Sequence, residues 1–362
     1  MPARALRLLV CSSLLLVASS CGGDDAPSAV PDAGLAVVRD AGLSAVGFTE
    51  TTHTFPSVAL APGEDRGPGS PPYPCMSWTL NNEEPIYVNS VHFIAGPAWH
   101  HSNWMYVPDT NLDGPDGVWD CEERGFNEGY AILGGVFFAQ STQAEEETQQ
   151  FPPGAAFVIP PHSRIVGGTH LINFDSVPVT TDATFELGLI PEAEVTTLLQ
   201  PLSLNYQEGF LIPAASSAVL STSCDLSGST GPLDFRIHYV LPHYHQYATN
   251  FRFEVVGGPR DGELIFETDA SVGDPLGAML AVPFELMGAT GFRMTCSYDN
   301  PETFDLRYRN SDNGEMCVLL AYTDAPFRVY GATEGTPTVS DVGGISTREA
   351  NCAAFTVRPP RR

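Results

Sequence analysis

The feature that most restricts this chain is a rhythm. Short runs of apolar residues, several of them alternating with polar ones, are each closed by glycine, proline, asparagine or aspartate. PIYVNSVHFIAG (85–96), AAFVIP (155–160), RIVGGTHLINF (164–174) and TFELGLIP (184–191) read as strands. So do YAILGGVFF (130–138), DFRIHYVLPHYHQYATNFRFEVV (234–256), ELIFET (263–268), FRMTCSYDN (292–300) and EMCVLLAYT (315–323). Strand side chains alternate between two faces, so each run can bury one face and wet the other. The 34 glycines and 31 prolines supply turns, and helical periodicity is scarce. The pattern predicts an all-β protein of two consecutive jelly-roll-like β-sandwich domains, 48–200 and 201–362. Glu192 to Leu199 is the best candidate for a short helix or an interdomain connection.

The N-terminus reads as an export signal at 1–21. Arg4 and Arg7 precede an apolar run, Leu8 to Val17, too short to span a bilayer. It ends at Ala18-Ser19-Ser20-Cys21, which resembles a bacterial lipoprotein processing site with Cys21 lipidated, although Ala18 stands where leucine is usual. Residues 22–47, in which Asp-Ala-Gly-Leu occurs twice, read as a flexible tether. The expected location is a bacterial outer membrane or cell surface, otherwise the periplasm or medium. The membrane is touched only through the lipid. Cys11 belongs to the signal, leaving Cys75, Cys121, Cys224, Cys296, Cys317 and Cys352. An even count in an exported chain predicts disulfides, but six cysteines allow fifteen pairings. The net charge is -26 and every basic residue is arginine, which argues against nucleic acid as a partner.

Nine histidines are the richest source of chemistry. His243-Tyr244-His245 places two imidazoles at i and i+2, on one face of a strand. Met316, in NGEMCVLLAY, offers a soft thioether that suits Cu(I) better than zinc or calcium. His243, His245 and Met316 therefore form a set suited to copper, and His100, His101 and His170 form an all-nitrogen set. Adjacent His100 and His101 point to opposite faces of a regular strand. Both can bind one ion if the strand is bulged or ends there, or if they use different ring nitrogens. His92 reads as packed or supporting a ligand, His53 and His162 as exposed, and His238 as lying on the far strand face. Glu315 reads as a hydrogen-bond acceptor beside Met316 or as a solvated carboxylate. The run Glu145-Glu146-Glu147 reads as a solvated loop.

The order HH, H, HxH, EMC resembles the type II copper, ascorbate-dependent monooxygenases, the family of peptidylglycine α-hydroxylating and dopamine β-monooxygenases. Near-equal steps separate His101 from His170, His170 from His243, and His245 from Met316. YPCMSW (73–78), VWDC (118–121), MTCSYDN (294–300) and GEMC (314–317) add to the likeness, which runs from Tyr73 to Cys352. The resemblance implies two mononuclear copper sites, one per domain, facing each other across an open solvent-filled cleft. His100, His101 and His170 would hold the electron-transfer copper, and His243, His245 and Met316 the copper that meets dioxygen. It further implies the disulfides Cys75–Cys121, Cys224–Cys352 and Cys296–Cys317, ascorbate or a similar reductant, and hydroxylation of a substrate C–H bond by O2.

The substrate positions depart from the peptide-hydroxylating member. Its carboxylate-binding arginine and asparagine fall on Leu241 and Val318, and a peptide-contacting tyrosine falls on Leu320. A buried carboxylate without partners is strongly disfavoured, so the expected substrate is a more apolar small molecule. Two other readings remain: a surface lipoprotein that binds copper without catalysis, and a structural β-sandwich whose histidines are incidental. No GxSxG, HExxH, phosphate-binding loop or dinucleotide fingerprint occurs.

Overall fold

Alternation is visible strand by strand. In Ala183–Leu189, residues Ala183, Phe185, Leu187 and Leu189 are buried, whereas Glu186 faces water. Phe251, Phe253 and Val255 do the same in Ala248–Val256. Ser163–Ile172 is buried at every position, because it is paired on both edges and covered on both faces. The computed structural model describes residues 50–308 and 314–359. The signal segment, Cys21 and the tether lie outside the described residues.

The protein is an all-β sandwich, as the sequence predicts. One sheet runs Thr52–Thr54, Ala183–Leu189, Ile86–Ala95, Ala155–Ile159, Thr197–Leu198, with Glu146–Gln150 also on Ile86–Ala95. A second runs Gly117–Asp120, Pro74–Thr79, Ser163–Ile172, Trp99–Pro108, Gly135–Ala139, with Asp65–Arg66 also on Ser163–Ile172. They pack face to face through aromatic rings. Phe185 lies 4.8 Å from Trp104 and 5.1 Å from Phe137, and Phe93 lies 5.2 Å from Phe138. Each such ring contributes about 1.5–3 kcal/mol by leaving water.

From Gln200 onward the chain builds one ten-stranded ladder. Its order is Leu264–Thr268, Ala248–Val256, Gly291–Asn300, Ser216–Asp225, Ile345–Val357, Arg328–Val342, Gln200–Asn205, Val318–Thr323, Arg236–His243, Ala278–Glu285. The pairing of Ile345–Val357 with Ser216–Asp225 is parallel, as is that of Arg328–Val342 with Gln200–Asn205.

The sheets divide by sequence at residues 198–200, but the core does not. Phe151 and Phe157 of the first half lie 4.8 and 5.7 Å from Tyr322 of the second. Buried Arg328 donates to Ile132 O and Tyr106 Oη, both at 3.3 Å. The two halves share one hydrophobic cluster. Two strands differ from expectation. Tyr130–Leu133 is a single helical turn before Gly135–Ala139. There Gly134 rides against the Tyr106 carbonyl, which a Cβ would meet at 1.6 Å. The region 315–323 is also split, with Gly314–Glu315 separated from Val318–Thr323 by Met316 and Cys317.

Candidate metal centre

The adjacent histidines sit at a bulge. Along Trp99–Pro108, His101 faces His170 and Trp99 faces Leu171, which leaves His100 as the extra residue. A bulge re-aims one side chain, so two neighbours can approach one point. Gln143 N–H donates to the His100 carbonyl at 2.6 Å. His170 Nε2 pairs with Asp65 Oδ1 at 2.8 Å. That bond makes Nε2 the protonated nitrogen and leaves Nδ1 to pair with His101 Nε2 at 3.3 Å. Asp65 lies 105 residues away in sequence, so no local signal marked it. The His170 ring also lies against Gly67, where a Cβ would stand 2.3 Å from its Cδ2. Gly67→Ala is therefore expected to push the ring away and to weaken about tenfold any metal ion that the ring helps to hold, the scale of outer-shell changes. Competition with a Cu(I) chelator measures it, and wild-type retention in that variant would refute the packing argument.

His243 ends the strand Arg236–His243, and His245 lies beyond it. The i, i+2 face is thus not what orients His245. Its Nδ1–H donates to the Gly314 carbonyl at 3.0 Å, leaving Nε2 bare. His243 likewise bonds the Gln140 backbone and keeps Nε2 bare. Glu315 is fully buried, so the solvated reading is wrong. It accepts the backbone N–H groups of His245 at 2.9 Å, Tyr247 at 2.7 Å and Met316 at 3.3 Å. Burial pushes its carboxyl up to about 8, against the pull of those three amides. Tyr298 Oη donates to the Met316 carbonyl at 2.5 Å, and Cys317 is bonded to Cys296. Buried Met316 is thereby fixed on both sides. All three disulfides implied by the resemblance are present: Cys75–Cys121, Cys224–Cys352 and Cys296–Cys317.

The two ligand sets are not apart. Ring centroids lie 5.1 Å apart for His100 and His245, 5.0 Å for His101 and His243, and 5.5 Å for His101 and His245. Separations within a set are no shorter as a class: 4.8 Å for His100 and His170, and 5.4 Å for His243 and His245. The expected open, solvent-filled cleft is absent between these rings, which form one buried cluster. The physical reason is the shared core, which holds the halves in contact. Burial pulls His100 down to about 2, His245 to about 3 and His243 to about 4, with neighbouring imidazoles adding to the first two. His100, His243 and His245 are therefore neutral and present lone pairs. Among the described residues, no hydrogen-bond partner reaches His100 Nδ1 or Nε2, His243 Nε2 or His245 Nε2. Orphaned buried polar atoms are costly and demand an explanation. Bare, neutral imidazoles without cysteine thiolates fit a copper-type ion.

Leu241 and Leu320 face each other in register, and His243 faces Val318. Residues i and i+2 share a face, so these three aliphatic side chains lie on the face that carries His243. The remaining histidines fall elsewhere. His92 bonds Glu186 and Glu146 at 3.0 and 3.1 Å. His53 is not fully exposed but stacks on Trp78 at 4.4 Å. His162 is exposed. His238 is buried 3.4 Å from Asp324 at a register shift, so its strand is not regular. Glu147 is buried too, against its reading as a solvated residue.

No family model matches the chain, and no curated protein matches it. Among solved structures it is similar to the major capsid protein P2 of bacteriophage PM2, at 9% identity and TM-score 0.28, over 74% of this chain and 97% of that one. It is also similar to the cowpea mosaic virus top component, at 9% identity and TM-score 0.32, over 75% of this chain and 89% of that one. At these TM-scores the likeness carries no argument about what this chain does.

Proposed function

We propose that the protein is an exported copper-dependent monooxygenase that hydroxylates a C–H bond of an apolar small molecule with O2 and an ascorbate-like reductant. The observation that carries this reading is the buried cluster of His100, His101, His170, His243 and His245, in which His100, His243 and His245 keep unpartnered ring nitrogens and no thiolate takes part. Bound copper would supply electron transfer from the reductant and activation of dioxygen. The protein's own part is positional. Asp65 and the Gly314 carbonyl set the tautomers of His170 and His245. Glu315 ties Met316 to His245 through one carboxylate oxygen. Leu241, Val318 and Leu320 give the His243 face an apolar wall that would select against a carboxylate. The disulfides support an oxidising compartment, and Cys21 lipidation belongs to the same proposal.

A second reading, copper binding without catalysis, draws on the contact between the two ligand sets, which leaves no cleft for a substrate between the rings. Two measurements separate the readings: copper content after loading and desalting, and oxygen uptake across a panel of apolar compounds. Copper retention with uptake requiring both ascorbate and a compound supports the enzyme. Retention with no such uptake supports the binding protein, and no retention removes both. Hydroxylation of a glycine-extended peptide at an ordinary enzymatic rate would contradict the substrate class.

A further inference from the structure

Resting on the copper reading above, the geometry points to a single metal site made by His100, His101 and His245, shared between the two halves of the chain. Each of these residues offers a ligand nitrogen within 4.8 Å of the others. Metal–imidazole bonds of about 2.0–2.1 Å place ligand nitrogens about 3.5 Å apart, so the rings need draw in by only about an ångström. The pairing is not the one implied by motif order, which puts His100 and His101 with His170 and leaves His245 to His243 and Met316. Two observations favour the shared site. His100 has both ring nitrogens buried and unpartnered, and His245 has Nε2 in the same state. His170, in contrast, is engaged at both nitrogens, by Asp65 at 2.8 Å and His101 at 3.3 Å.

The backbone around the cluster is built to hold this spacing. Residues 140–147 form a strap from the first half that bonds both ligand segments. Gln143 N–H donates to the His100 carbonyl at 2.6 Å, and Thr142 Oγ1 donates to the Tyr244 carbonyl at 2.7 Å. Buried Glu147 fastens the strap from beneath. It accepts Ser141 N–H at 2.6 Å and Ser141 Oγ–H at 2.7 Å. Ser141 Oγ in turn accepts Leu276 N–H of the second half at 2.8 Å. One short segment thus sets the distance from His100 to the residue before His245. An ion there would tie the halves together at the same place.

The test adds Cu(I) alone, anaerobically, to the full mature chain and measures the first equivalent against a colorimetric Cu(I) chelator. The proteins are wild type, His100→Ala, His245→Ala and the double variant. The expected result is that each single change weakens the first ion at least tenfold and the double change weakens it no further. The shared site is overturned if each single variant keeps one ion at wild-type affinity and only the double variant loses both. In that case the two-site monooxygenase reading stands. Wild type that retains no copper overturns both. If a variant fails to fold, wild type with one equivalent of copper is exposed to ascorbate and air, and oxidised histidines are mapped by mass spectrometry. Oxidation at His100, His101 and His245 supports the site, and oxidation confined to one half overturns it.

Discussion

Glu315→Ala is expected to lower the unfolding midpoint by on the order of 10 °C and to abolish copper retention. The carboxylate accepts three buried or half-buried amides, those of His245, Tyr247 and Met316. Removing an acceptor leaves each donor with a desolvation penalty of roughly 1–3 kcal/mol, so the loss over three donors is roughly 3–9 kcal/mol. In a chain of this size each kcal/mol moves the midpoint by about 2–4 °C or somewhat less. Glu315→Gln keeps the shape and one carbonyl oxygen but turns an N–H group toward an amide, so an intermediate loss is expected. Thermal melts with and without Cu(I) measure both effects. A Glu315→Ala protein that melts with wild type would mean that the three amides find other acceptors and that Met316 is not held by this carboxylate.

Losing the Cys224–Cys352 bond is expected to cost a comparable share of the second half's stability. The bond spans 128 residues, and cross-linking a loop of that length stabilises by about 4–5 kcal/mol in the chain-entropy account. It joins the parallel-paired strands Ser216–Asp225 and Ile345–Val357, where Thr222 faces Ala350 and Ser223 faces Asn351. Cys296–Cys317 spans only 21 residues, worth about 3 kcal/mol on the same scale. Urea melts of the paired alanine variants should therefore rank Cys224–Cys352 above Cys296–Cys317 in midpoint loss. Copper retention should rank them the other way, because Cys317 adjoins Met316. Equal losses in both measurements would sink the argument.

How much of this was legible follows residue by residue. The strands with a one-sided apolar face, such as Ala183–Leu189, announce themselves by period. The doublet His100-His101 demands a bulge or a strand end if both rings are to converge, and the bulge is there. The disulfide pairs followed from the family likeness, not from the count. Other features are set by contacts remote in sequence. Asp65 reaches His170, Glu147 reaches the second half through Ser141, and Phe151 and Phe157 meet Tyr322. No period encodes such meetings, so the joining of the two histidine sets could not be read. The hairpin strands Arg328–Val342 and Ile345–Val357 were missed because much of their length is exposed and rich in threonine, glycine and small residues, without clean alternation.

That hairpin has a consequence for biogenesis. In the ten-stranded ladder its two strands lie at the middle, with four strands on either side. On one side are strands drawn from residues 216–300, and on the other are strands drawn from residues 200–323. During synthesis from the N-terminus, both flanks emerge before the segment that joins them. The first half can close its two sheets early. In the second, the two flanks can be linked by Cys296–Cys317 but keep open inner edges until residues 328–357 arrive, and only then can Cys352 meet Cys224. Unpaired strand edges invite pairing with other chains, so the period between emergence and closure is when this protein most needs a chaperone.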